Sequence, residues 1–310
     1  MNQPSATPAR KGGSLASRLI VATIVITVFA GLAWADATSL GGGPRAAWLL
    51  PVVLLVAAGG SLETVRLAAA RGIPLAATLV PAGTAAIATA PAVAAWLGGD
   101  DPARPWAALG ATTVACGAAL GSLFVVEIGR YVHGGPALPR IAGSLAAMVA
   151  IGLPLAFMVG LRLLEPRSGV APWLGLLPLT SLIAVVKAGD IAAYAVGSLV
   201  GRHRMAPALS PGKTWEGAAA SLAAAVFVAW LVMDRGAAGT ASRPWGGWPL
   251  YGLLLGLAGM AGDLSESLVK RELAAKDSGT SLGGMGGFLD LIDSLLFAAP
   301  VAWLLWVAGR

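Results

Sequence analysis

Nine apolar stretches recur along the chain, each bounded by proline, glycine or charged residues. They lie near 18–36, 46–60, 73–97, 106–127, 141–163, 172–199, 215–233, 248–268 and 287–308. Most reach the roughly 17–25 residues that a helix needs to cross hydrocarbon. The second is short, and the sixth is long enough to be kinked or broken. Backbone groups at bilayer depth must be satisfied within their own segment, so these stretches are expected to be helices. The pattern predicts an all-α, polytopic integral membrane protein of about nine transmembrane helices. Residues 1–17 are small and polar and read as a disordered cytoplasmic tail. Residues 18–185 read as packing or lipid-facing helices, and residues 186–310 hold nearly every dense polar grouping.

Composition supports the same class. The chain is 57% hydrophobic and 12% charged, with a mean hydropathy of +0.78, more apolar surface than a soluble core can hide. The first stretch follows Arg10, Lys11 and Arg18 like the basic start of a signal peptide. It is longer than a signal core and has only a weak cleavage site at Ala33-Trp34-Ala35, so it is expected to remain as a helix. Small residues allow close helix packing, with Gly117-x-x-x-Gly121 and Gly252-x-x-x-Gly256 as candidate contacts.

Orientation follows from the loops. A cytoplasmic N-terminus puts Arg10, Lys11, Arg18, Arg66, Arg71, Arg130, Arg140, Arg202, Arg204, Lys213, Lys270, Arg271 and Lys276 inside. It leaves Arg45, Arg104, Arg162, Arg167, Arg235, Arg243 and Arg310 outside, with Lys187 inside a helix. The positive-inside rule favours that arrangement, which places loops 200–215 and 268–286 in the cytoplasm and the protein in the cytoplasmic (inner) membrane. The net charge of +6 suits anionic lipid surfaces. There is no basic stripe with interleaved aromatics, so no nucleic-acid partner is expected. Cys116 is a lone cysteine, and His133 and His203 read as surface residues.

The chemistry lies near the C-terminal end. Asp263 and Glu266 are three residues apart, as are Asp290 and Asp293, so each pair shares a helical face. Between them fall Lys270, Arg271, Lys276 and Asp277. Carboxylates converging from two adjacent helices make a hard-oxygen site of the kind Mg²⁺ prefers, with substrate phosphates completing its shell. Charges at this depth cost roughly 2.5–3.5 kcal/mol each on insertion scales, and are kept for function. Gly212-Lys213-Thr214 is not a P-loop, because position 207 is proline and no strand is expected before it. Its spacing suggests a helix start, with Ser210 as N-cap and Pro211 at the first helical position. Such a terminus suits a phosphate, with Lys213 adding a full charge. Asp190 lies in an apolar helix with Lys187 and Tyr194 on the same face, and a Lys187–Asp190 ion pair is its simplest structural role.

Three blocks resemble the phosphatidate cytidylyltransferase (CDP-diacylglycerol synthase) family. The first is Ser267-x-x-Lys270-Arg271, Lys276-Asp277-Ser-Gly279 and Gly286-Gly287-x-x-Asp290-x-x-Asp293. The second is Asp190-x-x-x-Tyr194, Gly197, Gly201 and Ser210-Pro-Gly-Lys213-Thr214-Trp-Glu216-Gly217. The third is Gly262-Asp263-x-x-Glu266. Together they span about residues 186–294. The chain departs from the family in having Met285 where a histidine is usual and Leu291 where an arginine is usual.

The resemblance implies transfer of the cytidylyl group of CTP to phosphatidate, giving CDP-diacylglycerol and pyrophosphate in phospholipid biosynthesis. Its expected catalytic residues are Asp263, Asp290, Lys270 and Arg271. CTP and phosphatidate would be bound by Asp190, Ser210, Lys213, Thr214, Lys276 and Asp277. Asp263, Asp290, Asp293 and Glu266 would ligate Mg²⁺, with room for a second cation. The bilayer is the expected surrounding, and a homodimer is compatible with the sequence. Two other readings remain: a CTP-dependent enzyme acting on another lipid, and a transporter or degenerate homologue without turnover.

Overall fold

A computed structural model describes residues 15–38, 40–98, 104–133, 135–164, 172–236, 243–273 and 287–310. The described residues form nine helices: α1 (Leu15–Ala37), α2 (Leu50–Ala70), α3 (Leu79–Gly98), α4 (Arg104–Arg130), α5 (Ala137–Leu163), α6 (Leu177–Val200), α7 (Trp215–Trp230), α8 (Gly247–Glu272) and α9 (Phe288–Ala308). Among the described residues, α2 to α9 are each long and apolar enough to cross a membrane, and α1 offers a shorter apolar stretch, Thr23–Ala37. The protein is a polytopic all-α membrane protein.

Several boundaries differ from expectation. Helix α2 continues to Ala70, so Arg66 lies within it rather than in a loop, and Glu63 is buried. Helix α6 is continuous over 177–200, with a 3₁₀ turn before it at 172–176. Arg162, expected in an outer loop, is buried in the last turn of α5. There it forms an ion pair with the buried Asp36 of α1. Asp36 also accepts from the Ala46 and Trp48 amides, at 3.2 Å each.

The segment between α6 and α7 is a small antiparallel hairpin rather than a helix start. Strand β1 (Arg204–Ala206) pairs with β2 (Ser210–Thr214), Arg204 facing Thr214 and Ala206 facing Ser210 across an irregular register. Ser210 is therefore not the N-cap, and Pro211 is not in the helix. The cap is Thr214, extended at φ −126° and ψ 154°, whose hydroxyl accepts from the Gly217 amide at 3.1 Å. Thr214 occupies a pocket of small residues, since a Cβ on Gly201 would come within 2.6 Å of its side chain.

Lipid gives apolar faces no reason to associate, so these helices rely on close packing and polar links. Helices α6, α7 and α8 meet through Leu182, Val185, Ala225, Ala229, Tyr251 and Leu255. A Cβ on Gly252 would lie 2.6 Å from the Val226 backbone, so Gly252 does mark a tight crossing. Gly117 and Gly121 have open space beside them and mark none. A second cluster joins α3, α4 and α5 through Val80, Ile87, Leu123 and Met148. A third brings Ala57 and Ile151 against Ile292 of α9.

Two polar links tie the N-terminal helices to the polar end. Arg71 Nε donates to the Leu273 carbonyl at the end of α8, at 3.0 Å. Glu63 Oε2 accepts from the Leu289 amide in the first turn of α9, at 3.2 Å. The first four amides of a helix lack partners within it, so Glu63 supplies one from another element.

Candidate functional site

The polar end is assembled from three places: the face of α6 bearing Lys187 and Asp190, the hairpin ending at Thr214, and the facing termini of α8 and α9. Helices α8 and α9 approach closely because Gly262 has no side chain. A Cβ there would lie 2.5 Å from the Asp293 carbonyl oxygen and 3.1 Å from Ser294 Cα. That contact sets Asp293 beside the carboxylates of α8.

One ligand-capable oxygen from each of Asp263, Glu266 and Asp293 lies within 4.8 Å of the others. Glu266 is mostly buried, its side chain 12% exposed, whereas Asp263 is 42% exposed, so the group runs from the interior to a mouth. Glu266 Oε1 is buried without a hydrogen-bond partner, which is costly for a carboxylate oxygen. Three carboxylates this close, with one buried Glu266 oxygen unsatisfied, fit a divalent cation, and among the described residues this is the group that could hold one.

Asp290 adjoins that group through Lys270, which contacts both Glu266 and Asp290. Its Oδ1 accepts from Lys270 Nζ at 2.6 Å, and its Oδ2 accepts from the Gly287 amide at 2.6 Å. An acidic side chain in the first turn also suits the helix dipole. The expected ligand set was Asp263, Glu266, Asp290 and Asp293; the geometry gathers Asp263, Glu266 and Asp293, while Asp290 bonds Lys270.

The cations are interleaved with the carboxylates. Lys213 Nζ stands 2.8 Å from Asp263 Oδ2, and Lys270 Nζ lies 3.2 Å from Glu266 Oε2 as well as bonding Asp290. Lys213 reaches Asp263 because β2 and the Thr214 cap deliver it there. Arg271 points elsewhere: its Nε donates to the Leu209 carbonyl at 3.2 Å, tying the end of α8 to the hairpin turn. Ser210 is half-buried in β2, and Thr214 is fully engaged as the cap. Lys276, Asp277 and Met285 lie outside the described residues.

On α6, Asp190 Oδ2 accepts from Lys187 Nζ at 3.2 Å and from Ser294 Oγ at 2.8 Å. The expected ion pair is present and extends to α9. Tyr194, further along the same face, is 80% exposed. Ser294 and Glu63 were not singled out from sequence. Ser294 follows Asp293 in the motif, so its place was visible but its role was not. The Glu63 link joins residues 226 positions apart, which no local pattern reveals. Glu216 also gains a partner, since its carboxylate lies 2.6 Å from His203 Nδ1 across the base of the hairpin.

Comparison with known proteins identifies the family. A family model described as "Cytidylyltransferase family" matches residues 16–308. A protein of Mycobacterium bovis named phosphatidate cytidylyltransferase is 38% identical over 165 residues, covering 52% of this chain and 49% of that protein. One of the same name from Brucella suis biovar 1 is 46% identical over 132 residues, covering 42% of this chain and 47% of its own length. An uncharacterized protein of Escherichia coli K12, YnbB, is 39% identical over 143 residues, covering 42% and 46%. The chain spans about half the length of the curated relatives it matches.

Proposed function

The chain belongs to the cytidylyltransferase family, and on that footing we propose that it transfers the cytidylyl group of CTP to phosphatidate. The products are CDP-diacylglycerol and pyrophosphate. The observation that carries this reading is the Asp263–Glu266–Asp293 cluster, interleaved with Lys213 and Lys270 at one end of a membrane bundle. Such a place serves one substrate that lives in lipid and another that lives in water.

An anionic phosphate oxygen of phosphatidate attacks the α-phosphorus of CTP. The new P–O bond forms as the bond from the α-phosphorus to the bridging oxygen breaks, and pyrophosphate leaves with that electron pair. No general base is needed, because the attacking oxygen already carries charge. Positioning and charge neutralisation then account for most of the catalysis. Asp263, Glu266 and Asp293 are the residues that would hold Mg²⁺, which supplies positive charge to the nucleotide phosphates.

The chain's own cations do the rest. Lys213, its buried ammonium set against Asp263, offsets phosphate charge bound beside that carboxylate. Lys270 is held by Glu266 and Asp290 and offsets charge gathering on the leaving pyrophosphate. Asp190 lines the nucleotide side. Arg271 steadies the hairpin that presents Lys213, Lys276 is a further cation for substrate phosphate, and Asp277 is a further substrate contact. The loop charges support a site facing the cytoplasm of an inner-membrane protein, where CTP is available.

The test is purified protein in detergent with phosphatidate, Mg²⁺ and CTP labelled at the α-phosphate, beside Asp293→Asn. Lipid-soluble label from the wild type and none from the variant is the expected result. Label transferred only when another lipid phosphate replaces phosphatidate would assign a different acceptor, and no transfer to any lipid would overturn the reading.

A further inference from the structure

Lys187 is an ammonium ion in the middle of an apolar helix, and the cytidylyl-transfer scheme leaves it without a task. It lies at the eleventh position of the 24-residue α6, directly after the buried Val185 and Val186. Its side chain is 32% exposed. An uncompensated charge at that depth is expensive, so its contacts are informative. Nζ donates to Asp190 Oδ2 at 3.2 Å and to Ser294 Oγ at 3.1 Å. The Ser294 hydroxyl, fully buried, gives its own proton to the same Asp190 oxygen at 2.8 Å. The Ser294 amide donates to Asp293 Oδ1 at 2.5 Å. A simple i,i+3 ion pair needs only Asp190. The Ser294 contact places the ammonium one residue from a carboxylate of the cluster, at the point where α6, α8 and α9 meet. A Cβ on Gly259 of α8 would lie 3.3 Å from Val186 and 3.8 Å from Ser294.

The charges of this network are informative too. Asp190, Asp263, Glu266, Asp290 and Asp293 face Lys187, Lys213 and Lys270. Five carboxylates against three ammonium groups leave two negative charges, which one divalent ion neutralises. Without Lys187 the excess is three, and a single divalent ion no longer balances it.

We propose that Lys187 is a built-in monovalent cation of the carboxylate centre. Set beside Asp293 through Ser294, it offsets one negative charge so that the centre takes a single divalent ion. This rests on the centre binding a metal, as the proposed function requires. It predicts an effect opposite in sign to structural damage. Removing the ammonium takes away a positive charge that repels the metal and leaves Asp190 uncompensated, so a neutral variant should bind the metal more tightly.

The test is Mn²⁺ binding, followed by electron paramagnetic resonance of the free ion, to purified protein in detergent without CTP or lipid. The proteins compared are wild type, Lys187→Met, Lys187→Gln and Lys187→Arg. The wild type should take one Mn²⁺ per chain. Both neutral variants should bind it on the order of tenfold or more tightly, or take a second ion, a scale set by like charges within about a nanometre in partly dry surroundings. Lys187→Arg keeps the charge and should match the wild type. Lys187→Gln keeps hydrogen-bonding capacity and decides the matter if the Met variant aggregates. Unchanged or weaker binding in a monodisperse neutral variant overturns the role given to Lys187 while leaving the metal centre intact. No Mn²⁺ bound by the wild type overturns the metal centre and this role together.

Discussion

Replacing Gly262 with alanine perturbs the site without touching any charged group. The added Cβ would lie 2.5 Å from the Asp293 carbonyl oxygen, 3.1 Å from Ser294 Cα and 3.2 Å from the Asp293 carbonyl carbon. All three are backbone atoms of α9, so no side chain can swing aside. Ordinary contact begins at 3.4 Å, so α8 and α9 must separate by about 0.9 Å at the carboxylate cluster. Overpacking of this kind costs about 1–3 kcal/mol of stability, and misplacing reacting groups by about 1 Å costs roughly 10²-fold in rate. Gly259→Ala is the comparator: it lies on the same helix, one turn earlier, and its nearest neighbour is the Val186 side chain at 3.3 Å. The assay is the initial rate of CTP-dependent lipid labelling, measured with Mn²⁺ affinity and thermal unfolding in detergent. Gly262→Ala should lose roughly 10²-fold in rate and bind Mn²⁺ more weakly, whereas Gly259→Ala should lose much less. A Gly262→Ala protein with wild-type rate and Mn²⁺ affinity would refute the claim that this helix contact sets the cluster.

Other consequences are as direct. Asp263→Asn and Asp293→Asn should each abolish lipid labelling and lower Mn²⁺ affinity, whereas Asp290→Asn should slow turnover while keeping Mn²⁺ bound, as binding measurements on the three variants will show. Glu63→Leu removes the acceptor for the Leu289 amide and should cost about 1 kcal/mol, the usual worth of a helix cap; Glu63→Gln keeps an acceptor and should unfold close to the wild-type temperature. Arg162→Met strands the buried Asp36 carboxylate, and by thermal unfolding should cost about 3–5 kcal/mol with no change in Mn²⁺ affinity. Arg271→Ala frees the hairpin turn from α8 and should raise the KM for CTP more than it lowers kcat.

Periodicity made the helices legible: long apolar runs gave the nine helices of the described residues, eight of them long and apolar enough to cross a membrane, because lipid leaves the backbone no alternative at that depth. The hairpin at 204–214 was not legible. Ser210-Pro211 carries helix-start residues, but pairing with Arg204–Ala206 moved the cap to Thr214. Motif spacing brought Asp263, Glu266, Lys270, Asp290 and Asp293 to one place, since i,i+3 and i,i+4 neighbours share a face. It could not divide them between the cluster and Lys270, because that depends on how Gly262 sets α8 against α9. Arg162 looked like a loop charge and Glu63 went unremarked for one reason: their partners, Asp36 and the Leu289 amide, are far away in sequence.

The proposed reaction moves the nucleotidyl group, and not a terminal phosphate, onto a lipid phosphate. Two labels decide it: CTP carrying one isotope at the α-phosphate and another at the γ-phosphate, incubated with phosphatidate, Mg²⁺ and the purified protein. Cytidylyl transfer should put the α-label in the lipid fraction and the γ-label in pyrophosphate, in equal amounts. The γ-label in lipid, or both labels left in water-soluble CTP, would contradict it.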